Sequence, residues 1–317
     1  MFINKSIETM FADIPTEDPA KFQIKRPSTI LLPQGYNTGN RHMQGFQKTK
    51  RGEFVVSGSS YKEGYIYLTS SDYEIVKVIR PDVYDIKQRR FNHAGGCQVV
   101  DDILVVGVER SASRKKGTAQ VLFYDIQDIR NPEYLPHLSI SRTVGGSTAG
   151  AVAMASYQDK WLLLVANWGC QRLDFYLSNR GDLTHPAAFF SSTPVCSWSR
   201  EIDGFTSASI DPHWHEYQNI NLFTGQNAPD KPWFIGMYTD LKDSKANWAD
   251  LYQVSLAGDQ ALVTKKGRKR FYRSGGGPLF RYGSGFFFNE LSGCFEVYAC
   301  EKHLGKQETT NRCNKWA

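Results

Sequence analysis

HAGGCQVV (93–100), ILVVGVERS (103–111), AQVLFYDI (119–126) and LPHLSISRT (135–143) are four short runs rich in Val, Ile, Leu, Phe and Tyr. Each is bounded by Asp, Gly, Asn or Pro, and each has the length of a strand and not of a helix. Just upstream, HMQGFQKT (42–49), EFVVSGSS (53–60), GYIYLTSS (64–71) and YEIVKVIRP (73–81) repeat the order, again opening on a histidine with a glycine shortly after it. Two successive copies of a four-strand meander at this spacing are the mark of a repeat architecture built from β blades.

The pattern continues downstream. A third unit reads TAGAVAMAS (148–156), WLLLVANWG, RLDFYLSN and AAFFSST (187–193); a fourth reads YQNINLFTG (217–225), PWFIGMYTD, ADLYQVSL and ALVTKKG. The fifth, RYGSGFFFN (281–289) and CFEVYACEKH (294–303), lacks strands, and STILLPQG (28–35) is a strand without a unit. Joining the chain ends across the seam removes exposed sheet edges, so the expected fold is all-β, a five-bladed β-propeller closed by pairing of N- and C-terminal segments. Its boundaries are a propeller domain over 27–304, an N-terminal extension over 1–26 and a C-terminal tail over 305–317. Small residues in four of the five opening stretches (Gly45, Gly95, Gly96, Ala149, Gly150, Ala151, Gly283, Gly285) suit innermost strands crowding an axis, with a narrow channel along it. The fourth opening stretch, YQNINLF, departs from that rule.

Together, HAGGCQVV, TAGAVAMA, LDFYLSN, YQNINLF, NWADLYQV and FRYGSGFFF resemble a group of largely uncharacterised bacterial propeller-like proteins, often secreted, over roughly residues 40 to 300. The resemblance implies the propeller fold and carries no reaction with it.

Composition narrows the classes of function. The 317 residues are 41% hydrophobic and 13% aromatic, enough for a sizeable core, and the mean hydropathy is −0.44. No apolar run reaches the length of a membrane-spanning helix, so membrane insertion is not expected. The 38 basic and 32 acidic residues leave a net charge of +6, a dispersed excess that does not call for a nucleic-acid partner. The basic run Lys265–Arg270 is read as a solvated edge. Six cysteines are widely spaced without a Cys-x-x-Cys pair, so no structural zinc is expected; Cys300 and Cys313 tying down the C-terminal tail and burial as free thiols are both open. The first 22 residues lack a secretory pattern, which places the chain in the cytoplasm by default, or as the mature form of an exported protein.

Candidate site residues come from the repeat register. His42, His93, Thr148, Tyr217 and Gly283 occupy matching places at the opening of the five units and would ring one mouth, contacting a ligand or bonding to neighbouring backbone. The connection from Ser197 to Glu216 is the longest between blades, and long loops carry function. In it, Trp198 and Trp214 are placed to stack on a sugar or to cap the channel. Glu201 and Asp203, with Asp211, are candidates for an acid/base pair. His213 and His215, two apart, are weak candidates for a metal. No cofactor is expected, since there is no phosphate-cradling loop, and the absence of a nucleophile elbow argues against nucleophilic catalysis. The leading expectation is a non-enzymatic recognition propeller binding a carbohydrate or a protein partner at one mouth; the alternative is a glycan-active hydrolase or lyase, and a structural module is a third.

Overall fold

A computed structural model describes residues 6–34, 41–110, 117–144, 146–199, 214–225, 228–240, 246–272, 277–304 and 309–317. A short helix α1 (Ile7–Asp13), capped by the Ser6 hydroxyl accepting from the Thr9 N–H, precedes strand β1 (Ala20–Lys25). Four complete meanders follow. The first is β2 (Met43–Lys48), β3 (Phe54–Ser59), β4 (Gly64–Thr69) and β5 (Ile75–Ile79). The second is β6 (His93–Val100), β7 (Ile103–Glu109) and β8 (Ala119–Asp125), its outer edge shared by β9 (Glu133–Tyr134) and β10 (Ile140–Arg142). The third is β11 (Ala151–Tyr157), β12 (Lys160–Ala166), β13 (Arg172–Leu177) and β14 (Cys196–Ser199). The fourth is β15 (Asn219–Gly225), β16 (Ala228–Thr239), β17 (Ala246–Ala257) and β18 (Gln260–Tyr272).

The last sheet closes the ring. Strands β19 (Ser284–Asn289), β20 (Cys294–Cys300) and β21 (Thr310–Trp316) come from the C-terminal end, and the outermost strand is β1, antiparallel to β21 from Ala20↔Lys315 to Lys25↔Thr310. Among the described residues the pairings therefore gather the strands into five antiparallel sheets, four of them four-stranded and the second with its outer edge divided between two short strands, in a β-propeller closed by its two chain ends. Two strand assignments change. The N-terminal closing strand is AKFQIK and not STILLPQG, which forms turns over its described residues 28–34. The outer strand of the third sheet is Cys196–Ser199 and not AAFFSST, of which only Phe190 makes an isolated bridge, to Ser178. The closing strands β1 and β21 lie in the segments 1–26 and 305–317 that flank the expected domain.

Blades pack against neighbours on both faces, so their strands are apolar on both. In β7, Ile103 and Val105 join the cluster shared with the third blade, while Leu104 and Val106 join the one shared with the first. Side chains alternate across a strand, and here both directions are interior.

The axis is filled, not open. Gly95 lets β6 approach so closely that a Cβ there would lie 2.3 Å from the Gly150 carbonyl oxygen. The fourth inner strand, lacking such glycines, contributes the amides that occupy the space: Asn221 exchanges two bonds with Gln47 (2.8 and 3.3 Å) and accepts from the Phe286 N–H, and Asn219 donates to the Gln44 carbonyl. Gln98 accepts from the Leu222 and Met154 N–H groups at 2.9 and 3.1 Å and donates to the Leu222 carbonyl at 3.0 Å. Amides at mid-depth thus tie all five inner strands together and replace the expected channel. Replacing Gln98 with leucine, which leaves three buried backbone groups unpaired, is expected to cost about 3 kcal/mol, measured as a loss of urea stability at an unchanged m-value.

Candidate functional site

His42, His93, Thr148, Tyr217 and Gly283 all stand at or just before the first residue of an inner strand, so the repeat register places them at one mouth. All five are engaged with the protein itself. His42 Nδ1 donates to the Met43 carbonyl, and burial brings its pKa down to about 4, leaving it neutral. The Thr148 hydroxyl accepts from the Trp168 N–H at 2.6 Å, the Tyr217 hydroxyl donates to Asp250 at 2.7 Å, and the Gly283 carbonyl accepts from the Cys300 N–H.

His93 marks the most unusual chemistry at this mouth. The β6–β7 register sets it directly opposite Glu109, the last residue of β7, with Nδ1 at 3.7 Å from Oε1. Glu109 is fully buried; its Oε2 accepts from the Ala149 N–H at 2.8 Å, while Oε1 has no hydrogen-bond partner among the described residues. Burial pushes the carboxyl up to about 7, against the opposing pull of the Ala149 N–H, the Arg142 charge and the Thr148 hydroxyl. Arg142 in turn donates to the Ser147 and Thr148 carbonyls, to the Tyr176 hydroxyl and, at 2.7 Å, to Asp174. Burial also acts to raise Asp174, but Arg142, the Ser197 hydroxyl and Arg172 outweigh it and hold that carboxyl below its usual range. The two carboxyls therefore differ: burial takes Glu109 toward the neutral acid against the pull of Arg142, whereas Asp174, bonded directly to Arg142, stays the anion.

The rim beside them is aromatic and polar. Trp168 is half-buried, 5.3 Å from the His93 ring, in a turn whose Gly169 adopts φ +77° next to the Glu216 carboxylate. From there the mouth continues into a cavity of about 160 Å³ lined by His215, Gln218, Tyr238, Thr239, Asp240 and Arg281 as well as Glu216. A larger cavity, about 750 Å³, opens at the opposite mouth between α1 and the ends of the inner strands. Size favours that one, but its cations are neutralised in place: Lys50 and Arg51 pair with Asp102, Arg51 also with Glu53, and Lys48 with Glu296. Glu296, lowered to about 2 by Lys48 and its neighbours, lies beside the larger cavity, whereas Glu109, the carboxyl raised to about 7, lies at the smaller mouth.

Other candidates are placed differently. Trp198 and Trp214 pack against each other, tilted by 40° with centroids 4.4 Å apart, in the seam between the third and fourth blades, 2% and 5% exposed, and the Trp214 indole donates to the Cys170 carbonyl. With Tyr217, Phe234 and Tyr252 packed around Trp214, neither ring has a face left for a sugar. Glu201, Asp203, Asp211 and His213 lie outside the described residues. His215 is stacked on Tyr238 at 3.7 Å and its Nε2 accepts from Arg268, which occupies the lone pair a metal would need. Among the described residues no group of three or more His, Cys, Asp or Glu side chains is arranged to hold a metal, and no helix is long and apolar enough to cross a membrane. Glu109 and Trp168 were not among the sequence candidates. The signal for the first was a lone glutamate ending an unbroken apolar strand, ILVVGVE.

The fold and this mouth define a β-propeller with a polar plug and one chemically perturbed rim. No family model matches the chain, and no curated protein matches it. Among solved structures it is similar to a family 43 endo-arabinanase from Bacillus licheniformis (9% identity, 88% of this chain and 95% of that one, TM-score 0.49). It is also similar to an α-L-arabinanase from Penicillium chrysogenum complexed with arabinobiose (9%, 94% and 98%, 0.48) and to a family 117 glycoside hydrolase from Zobellia galactanivorans (9%, 94% and 90%, 0.44). Similarity at this level carries no activity across to this chain.

Proposed function

We propose that the protein acts on a carbohydrate at the mouth where the inner strands begin, as a glycan hydrolase in which Glu109 is the proton donor. The observation that carries this reading is that burial holds Glu109, opposite His93 at this mouth, toward the neutral acid, while hydrogen bonds and charge from Arg142, Ser197 and Arg172 hold Asp174 as the anion; titratable groups whose environments differ in this way are how one site supplies acid and base together at neutral pH. The second reacting carboxyl is assigned to the exposed Glu216 or to Glu201 or Asp203. Trp168 provides the aromatic face on which a sugar ring seats.

A second reading, carbohydrate binding without turnover, is favoured by the complete burial of Glu109, which leaves its carboxyl no surface open to a ligand. The two separate in one experiment: a glycan array and a polysaccharide-turnover screen on the purified chain, with Trp168→Ala alongside. Product release supports hydrolysis; binding without product supports recognition; neither one, across arrays of neutral and acidic glycans, overturns the carbohydrate assignment. Trp168→Ala is expected to weaken ligand binding about tenfold, the loss of one stacking contact, with a change in Tm of no more than a few degrees.

A further inference from the structure

Strands β20 and β21 bring two cysteines face to face, Cys300 in register with Cys313. The neighbouring hydrogen bonds define what kind of pair this is. The Glu301 N–H donates to the Arg312 carbonyl at 3.0 Å, while the Cys300 N–H turns to the other side and donates to the Gly283 carbonyl at 2.9 Å. Cys300 and Cys313 therefore form a non-hydrogen-bonded pair, the position at which facing Cα atoms stand about 4.5 Å apart with their side chains on one face. That separation falls inside the ~4.4–6.8 Å that a disulfide spans.

Both thiols lie in the cluster between the fifth and first blades and converge on Met43 and its neighbour Asn311. Cys300 Sγ is 3.9 Å from the Met43 sulfur, Cys313 Sγ is 3.6 Å from the Asn311 side-chain oxygen, and the Asn311 amide donates to that same Met43 sulfur. The strand concerned is also the one that closes the ring, since β21 holds β20 on one side and β1 on the other.

Both cysteines are free thiols in this structure; we propose that under oxidising conditions they form a disulfide that locks the closing strand of the propeller. In the step, the two thiols lose two protons and two electrons and form one S–S bond, while a small disulfide such as oxidised glutathione is cleaved to two thiols by way of a mixed disulfide. Burial raises both thiols well above the ordinary cysteine value, and the thiolate is the attacking species. Exchange is therefore confined to chains in which β21 has not yet docked or has lifted away, which makes the bond a record of closure under oxidising conditions.

The test is refolding of the full chain in oxidised glutathione or in dithiothreitol, followed by intact mass, peptide mapping and thermal melting. The expected result is a mass lower by two hydrogens, a peptide linking Cys300 to Cys313, and a Tm about 5 °C above that of the reduced chain. Cys97→Ser, which removes another buried thiol near this cluster, is expected to retain all three; Cys313→Ser is expected to lose them. A chain that keeps six free thiols after oxidative refolding overturns the proposal. So does a crosslink that maps to Cys97, or a Cys300–Cys313 bond that leaves the Tm unchanged or lower. If Cys313→Ser does not fold, the oxidised and reduced wild type and Cys97→Ser decide the matter without it.

Discussion

Alanine at Gly285 is expected to remove about 4 kcal/mol of stability, enough to leave little folded protein in a domain of ordinary marginal stability. Gly285 lies in β19 beside β2, where Ser284 is in parallel register with Gly45. A Cβ at 285 would stand 1.8 Å from the Phe46 carbonyl oxygen and 2.4 Å from Gln47 Nε2. Neither atom can withdraw at small cost. Phe46 is fully buried between the fifth and first blades, and the Gln47 amide is committed to Asn221 in the axial plug. Overpacking against rigid backbone forces strands apart, and here a shift of β2 also breaks the amide pair. Gly150→Ala is the control, because its nearest neighbours are 3.4 Å away, and it is expected to cost under about 1 kcal/mol. Urea denaturation of both variants measures the difference. A Gly285→Ala cost below that of Gly150→Ala would mean that the inner strands do not meet as closely as described.

The same positions tell which parts of the molecule were legible in the sequence. Local hairpins were: β2 to β5 and β6 to β8 fall on runs whose ends are marked by turn residues, because adjacent strands in a meander are adjacent in the chain. The closing strand was not. AKFQIK pairs with a partner some 290 residues further along the chain, so no local turn announces it, whereas STILLPQG imitates a strand by composition alone. The departure of YQNINLF from the small-residue rule is the source of the plug, since Asn219 and Asn221 fill what glycines elsewhere leave empty. The tryptophans misled for a related reason: Trp198 and Trp214 flank a polar connection, and nothing in that composition records that both turn inward between blades. Glu109 was hidden in the opposite way, as one charged residue ending an apolar strand whose burial only the packed ring determines.

Replacing Glu109 with glutamine is expected to produce two changes that separate its structural from its chemical role. The first is in stability against pH. The unfolded glutamate releases its proton from about 4.5 upward, whereas the folded one holds it to about 7, so between these values the folded state binds more protons and stability falls as pH rises, by about 3 kcal/mol in all, levelling off above 7. Glutamine keeps the acceptor for the Ala149 N–H and cannot ionise, so the variant should lack this part of the slope. Glu296, held at about 2 by Lys48, Tyr298, Asn289 and Lys315 despite its burial, loses its contribution below this window. Asp250, raised to about 7 by burial, acts within the same window but in both proteins, so the difference between them isolates Glu109. The second change is in turnover. If Glu109 delivers the proton, the wild type loses activity as pH rises past about 7, and Glu109→Gln loses about 10²- to 10⁴-fold at every pH. An altered stability slope with turnover intact would make Glu109 a buried structural acid and move the proton donor to Glu216 or to the connection carrying Glu201 and Asp203. Lost turnover with an unaltered slope would mean instead that the carboxyl is not held neutral in the folded state, and the separation of Glu109 from Asp174 would no longer account for the site.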